Sequence, residues 1–594
     1  MARTRSWRVR CCSSAANGAP PLCTRRSLAR PRLASRRSQP SASRPVCSSA
    51  STRSRVSRRS EADFRTARTP LDAEGARGHL SALPRVRTHA ADPSSRRMRA
   101  LRPTVALILA ACGGARVAPP AAPAVFPDAR TALRAFIDSN VGTAEFRNAH
   151  WGVLIVDPAR GETLYTRNAD KLFMPASNQK IVTGAVAIAQ LGPDFRWTTT
   201  LLARGPIRKG VLDGDLVARG DGDPSISTSM RGDALSPLRD LADSLRGRGI
   251  TRIRGRVVAA PSPFTDAPLG LGWAWDDLDE PYSAGVDALY FNEGFTQILV
   301  RGGARPGDPV RATTRPASTY PQLLVHATTI ARPITAADSA QRRPRLTAGY
   351  DSSHTGVRVG GTIAAGDTAV LELAFRDQSA AYVAALREAL RSRGIAVDET
   401  PRDSTSSLDS LVALRSPPLR DVMRAFEKPS QNQIGELLFK TIARRATGVG
   451  RADTAQRVVE SQLVAWGAAP DGFAVRDGSG LSRHDYVSPR TLVMALDAMR
   501  RHPEFRVFYD ALPIAGVDGT IDKRMRGTPA QGNVHAKTGF IDKARSLSGY
   551  VTTADGQMLL FSMLCNNYSV PTATVNRVQD SVAARLASLR LTSP

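Results

Sequence analysis

Phe173-Met-Pro-Ala-Ser-Asn-Gln-Lys-Ile-Val-Thr183 decides how the rest of the chain is read. Ser177 stands three residues before Lys180, and Ile181, Ala185 and Ile188 continue at helical spacing until Gly192-Pro193 stops the run. Residues i and i+3 share a helix face, so the Ser177 hydroxyl and the Lys180 amine meet without help from distant segments. A serine is a weak nucleophile until a base removes its proton, and a lysine is such a base once its charged form is disfavoured. A lone Ser-x-x-Lys is also a common accident of a solvated helix face. Composition tips the balance: only 8 of the 82 basic residues are lysine, and this is the one Ser-x-x-Lys in the chain. An arginine there would stay protonated. The segment therefore reads as nucleophile and base of a serine acyl-transfer enzyme.

On the N-terminal side of this stretch, a short helix is expected over 130–139, then strands over 152–157 and 163–166 around a turn at Pro158-Ala-Arg-Gly161. A hairpin followed by a helix predicts an antiparallel sheet with helices on its faces. On the C-terminal side the texture changes near residue 205. Strand-like runs such as 211–217 and 253–258 alternate with Gly, Pro and Asp turns to about residue 410, with one clear helix over 379–393. This reads as a β-rich insertion, covering 205–412, between catalytic segments 128–204 and 413–594. Helical texture returns over 419–443. Strands over 546–551 and 557–564 are joined at Asp555-Gly556, and a last helix carries Val575, Val578, Val582, Leu586 and Leu589 on one face.

A chain of 594 residues exceeds one compact core. The formal charge of +29 invites a nucleic-acid reading, but residues 1–97 alone hold 22 Arg and no Lys against 5 acids. That segment is Arg, Ser, Ala and Pro with little apolar periodicity, and reads as disordered or as sequence upstream of the true start. From Met98, Arg99 and Arg102 precede the apolar run Val105-Ala-Leu-Ile-Leu-Ala-Ala111 and then Cys112. Basic first and apolar second is a signal-peptide layout, too short to span a membrane as a helix. Leu109-Ala-Ala-Cys112 resembles a lipobox, with Cys112 the lipidated residue; an ordinary signal peptide with a chance cysteine is the alternative. Residues 98–112 are thus the leader and 113–127 an Ala/Pro-rich tether. An exported protein leaves no room for a nucleic-acid partner. The six cysteines support no disulfide framework, Cys565 reads as a buried structural thiol, and the 8 His are scattered without metal-ligand spacing.

Two further motifs follow Ser177. Ser430-Gln-Asn432 opens a predicted helix after Pro429, and Lys537-Thr-Gly539 precedes the C-terminal hairpin. Ser-x-Asn alone says little, since both residues also cap helices. The three together, in this order, are the signature of penicillin-recognising serine enzymes. With Gly220-Asp-Gly-Asp-Pro224, Gly272-Trp-Ala-Trp-Asp-Asp277, Arg476-Asp-Gly-Ser-Gly-Leu-Ser482 and Gly516-Val-Asp-Gly-Thr520, seven motifs in order make residues 126–594 resemble the D-alanyl-D-alanine carboxypeptidase/endopeptidase family, the low-molecular-mass class C penicillin-binding proteins.

The resemblance implies an α+β fold, a penicillin-binding/β-lactamase-like transpeptidase domain with a large insertion. It implies no cofactor and no metal. The implied partners are peptidoglycan stem peptides ending in D-Ala-D-Ala, β-lactams as inhibitors, and a membrane through the lipid anchor, on the periplasmic side. Ser177 would attack, Lys180 would take its proton with Lys537 lowering its pKa by repulsion, and Ser430 would bridge the lysines. Asn432 would hold the substrate amide, Lys537 and Thr538 the terminal carboxylate, and Gly539 would allow close approach of the strand. The backbone N–H groups of Ser177 and Phe540 would form the oxyanion hole. Many relatives carry Thr where this chain has Phe540, which bears on pocket shape. Asp277, Tyr282 and Arg483 stand where some relatives contact a diaminopimelate-like side chain, although Asp477-Gly-Ser-Gly480 equally reads as a tight turn and Tyr282 as a packing residue. A β-lactamase of related fold, or a silent wall-binding lipoprotein, would be the alternatives. The first lacks a motif for a deacylating Glu, and the intact Ser177, Lys180, Ser430 and Lys537 oppose the second.

Overall fold

The computed structural model describes residues 128–332, 345–352, 356–401 and 407–591. The leader, Cys112 and the tether lie outside the described residues. The centre is a five-stranded antiparallel sheet in the order Glu162–Arg167, His150–Asp157, Met558–Asn566, Ala544–Thr552, His535–Ile541. Met558–Asn566 is its middle strand, covered on both faces, and so runs Met-Leu-Leu-Phe-Ser-Met-Leu-Cys-Asn without polar alternation. Its Cys565 is buried among Leu133, Trp151 and Val575.

Each face of the sheet carries its own core. On one side the helices Ala129–Val141 and Thr572–Ala587 pack through Leu133, Ile137, Val575, Val582 and Leu586. The other side gathers helices Gln179–Leu191, Leu419–Glu427, Asn432–Thr447, Ala452–Ala465 and Pro489–Arg501. Helix Gln179–Leu191 is sandwiched between the sheet and its neighbours, so every residue from Gln179 to Ile188 is buried. Gly192, at φ +79°, ends it by donating its N–H to Ile188 O.

Strands Thr198–Arg204 and Leu408–Arg415 pair antiparallel, from Thr198↔Arg415 to Arg204↔Leu408, as the way out of and back into the sheet-and-helix body. Between them, helices Ser236–Gly247 and Gln378–Ser392 share a core with Leu201, Leu216 and Val257. A separate small core forms around Ile298, Val300, Val357 and Val359.

Two expectations need correction. Residues 211–217 are not one strand but Val211–Leu212 and Asp215–Arg219; residues 253–258 likewise split into Arg252–Ile253 and Val257–Ala259. Both breaks fall at glycines that touch: Gly255 N–H donates to Gly214 O at 3.0 Å, so the two chains cross together from one sheet to another. A Cβ on Gly214 would lie 1.8 Å from Arg204 O. The helical texture over 419–443 resolves into two helices, Leu419–Glu427 and Asn432–Thr447, the second opening after Pro429 as expected, because Pro429 lacks the N–H a continuous helix needs and Ser430 takes φ +66°.

Candidate active site

Ser177 does not lie in the first turn of the α-helix but in the 3-10 turn Ala176–Asn178 just before it, after Ala176 at φ +48°. A left-handed alanine costs about 1 kcal/mol or more and tips the serine toward the edge strand His535–Ile541. The turn is pinned to that strand and to its neighbour: Asn178 Nδ2 donates to Lys537 O at 2.8 Å, and Ser546 Oγ of strand Ala544–Thr552 donates to Pro175 O at 2.7 Å. A Cβ on Gly539 would meet Ser546 Oγ at 2.2 Å, Pro175 O at 2.5 Å and the Ser177 nitrogen at 3.0 Å. Only glycine lets the strand pass so close to the nucleophile.

Lys180 is fully buried, and its Nζ donates to Ser177 Oγ at 2.8 Å, Asn432 Oδ1 at 2.7 Å and Ser479 O at 2.7 Å. Burial pushes the ammonium down to about 7, and repulsion from Lys537 adds to it; Glu427, Asp477 and Glu436 pull the other way. Desolvation thus outweighs the repulsion expected to do this work. Lys537 is also fully buried and is brought down to about 8, first by burial, against the opposing charge of Glu427. Its Nζ donates to Thr538 O at 3.3 Å. Thr538 Oγ1 lies 2.7 Å from Thr520 Oγ1 in the Gly516-Val-Asp-Gly-Thr520 turn.

Segments far apart in sequence therefore converge on one amine. Ser430 sits on the left-handed break between the two helices, and the bridge expected of it is not seen: among the described residues no hydrogen bond joins its hydroxyl to either lysine. Asn432 is held at both ends, by Lys180 and by its own donation to Tyr282 O at 2.8 Å. Tyr282 in turn donates its hydroxyl to Asp277 Oδ1 at 2.7 Å, so this pair from the long segment lies over Asn432. Arg483 is exposed and donates to Asp542 O at 3.4 Å, beyond Phe540, which is 56% exposed.

Several contributors escaped the sequence reading. Asp477, read as a turn residue, accepts from the Ser479, Gly480 and Ser482 N–H groups and from Trp273 Nε1. Glu436 accepts from Gly478 and Ser479. Together they aim the Ser479 carbonyl at Lys180. Glu427 is fully buried, and both lysines act on its charge. Its signal was present: it continues the Leu419, Met423 stripe of a buried helix face, where an apolar residue is due. Among the described residues no group of three or more His, Cys, Asp or Glu is placed to hold a metal ion.

Residues 133–589 match the D-Ala-D-Ala carboxypeptidase 3 (S13) family. The D-alanyl-D-alanine carboxypeptidase of Actinomadura sp. (strain R39) is 33% identical, over 77% of this chain and 85% of its own. The D-alanyl-D-alanine carboxypeptidase DacB of Haemophilus influenzae is 28% identical, over 68% and 82%. The crystal structure of penicillin binding protein 4 (dacB) from Haemophilus influenzae superposes with a TM-score of 0.64 at 25% identity, covering 76% of this chain and 99% of that one. A second crystal structure of that protein holds a β-lactam and gives a TM-score of 0.60 at 24% identity.

Proposed function

The chain belongs to the D-Ala-D-Ala carboxypeptidase 3 (S13) family and is a serine carboxypeptidase acting on peptidoglycan peptides; on that premise we propose which residues carry the reaction. Ser177 Oγ attacks the carbonyl between the terminal D-alanines as neutral Lys180 takes its proton. The oxyanion is received by the Ser177 and Phe540 N–H groups, one such donor being worth about 3–4 kcal/mol. The C–N bond breaks, D-alanine leaves with the proton that Lys180 took from Ser177, and water then frees Ser177. Lys537 and Thr538 bind the terminal carboxylate. Asn432 turns its amide from Tyr282 O to the substrate, and Asp277, Tyr282 and Arg483 line the side-chain subsite.

The single observation that carries this reading is the buried Lys180 amine, 2.8 Å from Ser177 Oγ, with the second lysine near enough to act on its charge. A fluorescent penicillin tests it. Wild-type protein is expected to label covalently and Ser177→Ala not at all. A label that persists in the variant ends the acyl-serine assignment.

The chain is further inferred to work outside the cytoplasmic membrane, where its polymer is, tethered by lipid on Cys112. The basic-then-apolar layout ending in Leu109-Ala-Ala-Cys112 supports this. No helix among the described residues is long and apolar enough to cross a membrane. Detergent-phase partitioning of the wild type, lost in Cys112→Ala, is the expected result; equal partitioning removes the anchor. The stretch 205–412 is inferred to be an insertion that supplies Asp277 and Tyr282 to the rim.

A further inference from the structure

The site must hold two lysines in opposite states: Lys180 neutral to act as base, Lys537 charged to receive a carboxylate. Two buried ammonium groups give no reason for this division. Glu427 does. It is the last residue of helix Leu419–Glu427 and is fully buried. Its side chain packs on Gly184, one turn beyond Lys180 on the nucleophile helix; a Cβ there would stand 2.9 Å from Glu427 Oε1. The glycine leaves room for a carboxyl group.

Among the described residues neither Glu427 oxygen receives a hydrogen bond. Glu436 and Asp477, by contrast, are tied up by backbone N–H groups. Glu427 is therefore no cap and no loop anchor, and a buried carboxyl without such a role is costly to keep. We propose that Glu427 is a positioning residue, the counter-charge shared by Lys180 and Lys537, which keeps one proton on Lys537 while Lys180 stays free to accept another. With Glu427 ionised, Lys537 charged and Lys180 neutral, these three groups sum to zero.

The surrounding charges fit. Lys180 and Lys537 are the groups that act on Glu427. Glu436 and Asp477 act on Lys180, and Arg545 acts on Lys537. Lys428, next in sequence, turns away to Asp518 at 2.8 Å. Burial raises Glu427 and lowers both lysines, while each lysine's charge pulls Glu427 back down, so the charge state of each group depends on the others. Being fully buried, Glu427 acts on these charges and does not reach substrate.

This assignment rests on the acyl-enzyme reading above, and its test separates the two. The pH profile of kcat/KM on a D-Ala-D-Ala peptide is measured for wild type, Glu427→Gln, Glu427→Leu and Glu427→Asp, each checked by penicillin labelling and a cooperative melt. Wild type should give a bell, its acid limb set by Lys180 and its basic limb by Lys537. Removing the negative charge makes both lysines release protons more readily, so both limbs move down in pH. The Gln and Leu bells should slide acidward by about one pH unit, with KM at pH 8 rising about fivefold. The Asp form should keep the wild-type bell. A Gln or Leu bell at the wild-type position, with labelling intact, overturns the assignment, as does failure of both neutral forms to fold. A wild type that does not label overturns the earlier reading instead.

Discussion

Lys180 Nζ is ringed by three neutral oxygens, from Ser177, Asn432 and Ser479. Neutral acceptors hold the amine in place without stabilising its charge as a carboxylate would. That choice is testable at one atom. Asn432→Asp puts a negative charge 2.7 Å from the amine and raises its pKa. The base is active only when neutral, so the acid limb of the rate should move up by about one to three pH units, and turnover at pH 7 should fall at least tenfold. A limb that stays near 7 would show that Lys180 is not the titrating base. The Ser-x-x-Lys spacing made the pair itself legible in the sequence. The reason the lysine loses its proton was not, because burial belongs to the packed helix and not to the tetrad.

Edge strand His535–Ile541 is useful because no strand of the sheet flanks its outer side, so that beyond the His535 bridge to Ile514 and the Ala536 N–H to Pro513 O it can hydrogen-bond an extended peptide. Its value depends on distance. Gly539→Val drives a Cβ into Pro175 O and the Ser177 nitrogen, both backbone atoms that cannot swing aside. The strand should shift outward, and the Phe540 N–H with it. The expected cost is about 10²–10³ in the rate of penicillin acylation, one oxyanion donor's worth, with the melt still cooperative. An unchanged acylation rate would mean the strand does not set the hole. At this scale periodicity succeeded where one face is buried, as in helix Thr572–Ala587, whose Val575, Val578, Val582 and Leu586 are all buried. It failed at 211–217 and 253–258, where apolar residues persist through a change of sheet. Hydrophobic pattern reports burial; the touching glycines Gly214 and Gly255 decide which sheet does the burying.

Across the whole molecule, the long segment between Arg204 and Leu408 is not remote from the chemistry. Trp273 Nε1 donates to Asp477 Oδ2 at 2.9 Å, and Ser482 Oγ to Leu271 O at 2.7 Å. Asp477 in turn shapes the turn whose Ser479 carbonyl faces Lys180. Trp273→Phe removes one hydrogen bond and leaves a smaller aromatic ring in its place. It should lower kcat/KM about fivefold, the worth of about 1 kcal/mol, with little change in melting temperature. Unaltered kinetics would uncouple the segment from the base.

The sequence by itself determined the reaction class, since acyl transfer needs a nucleophile, a base and a carboxylate receiver, and the residues proposed for those roles, Ser177, Lys180 and Lys537, stand in motifs of recognisable spacing. It also carried the sheet-and-helix plan, because local periodicity survives translation into structure. Only the tertiary structure decided the electrostatics. Whether a lysine is neutral depends on what excludes water from it and which charges lie within a few ångströms, and Glu427, Asn432 and Ser479 reach Lys180 from positions hundreds of residues away. Such proximity is written in the packing of whole helices, which no local pattern encodes.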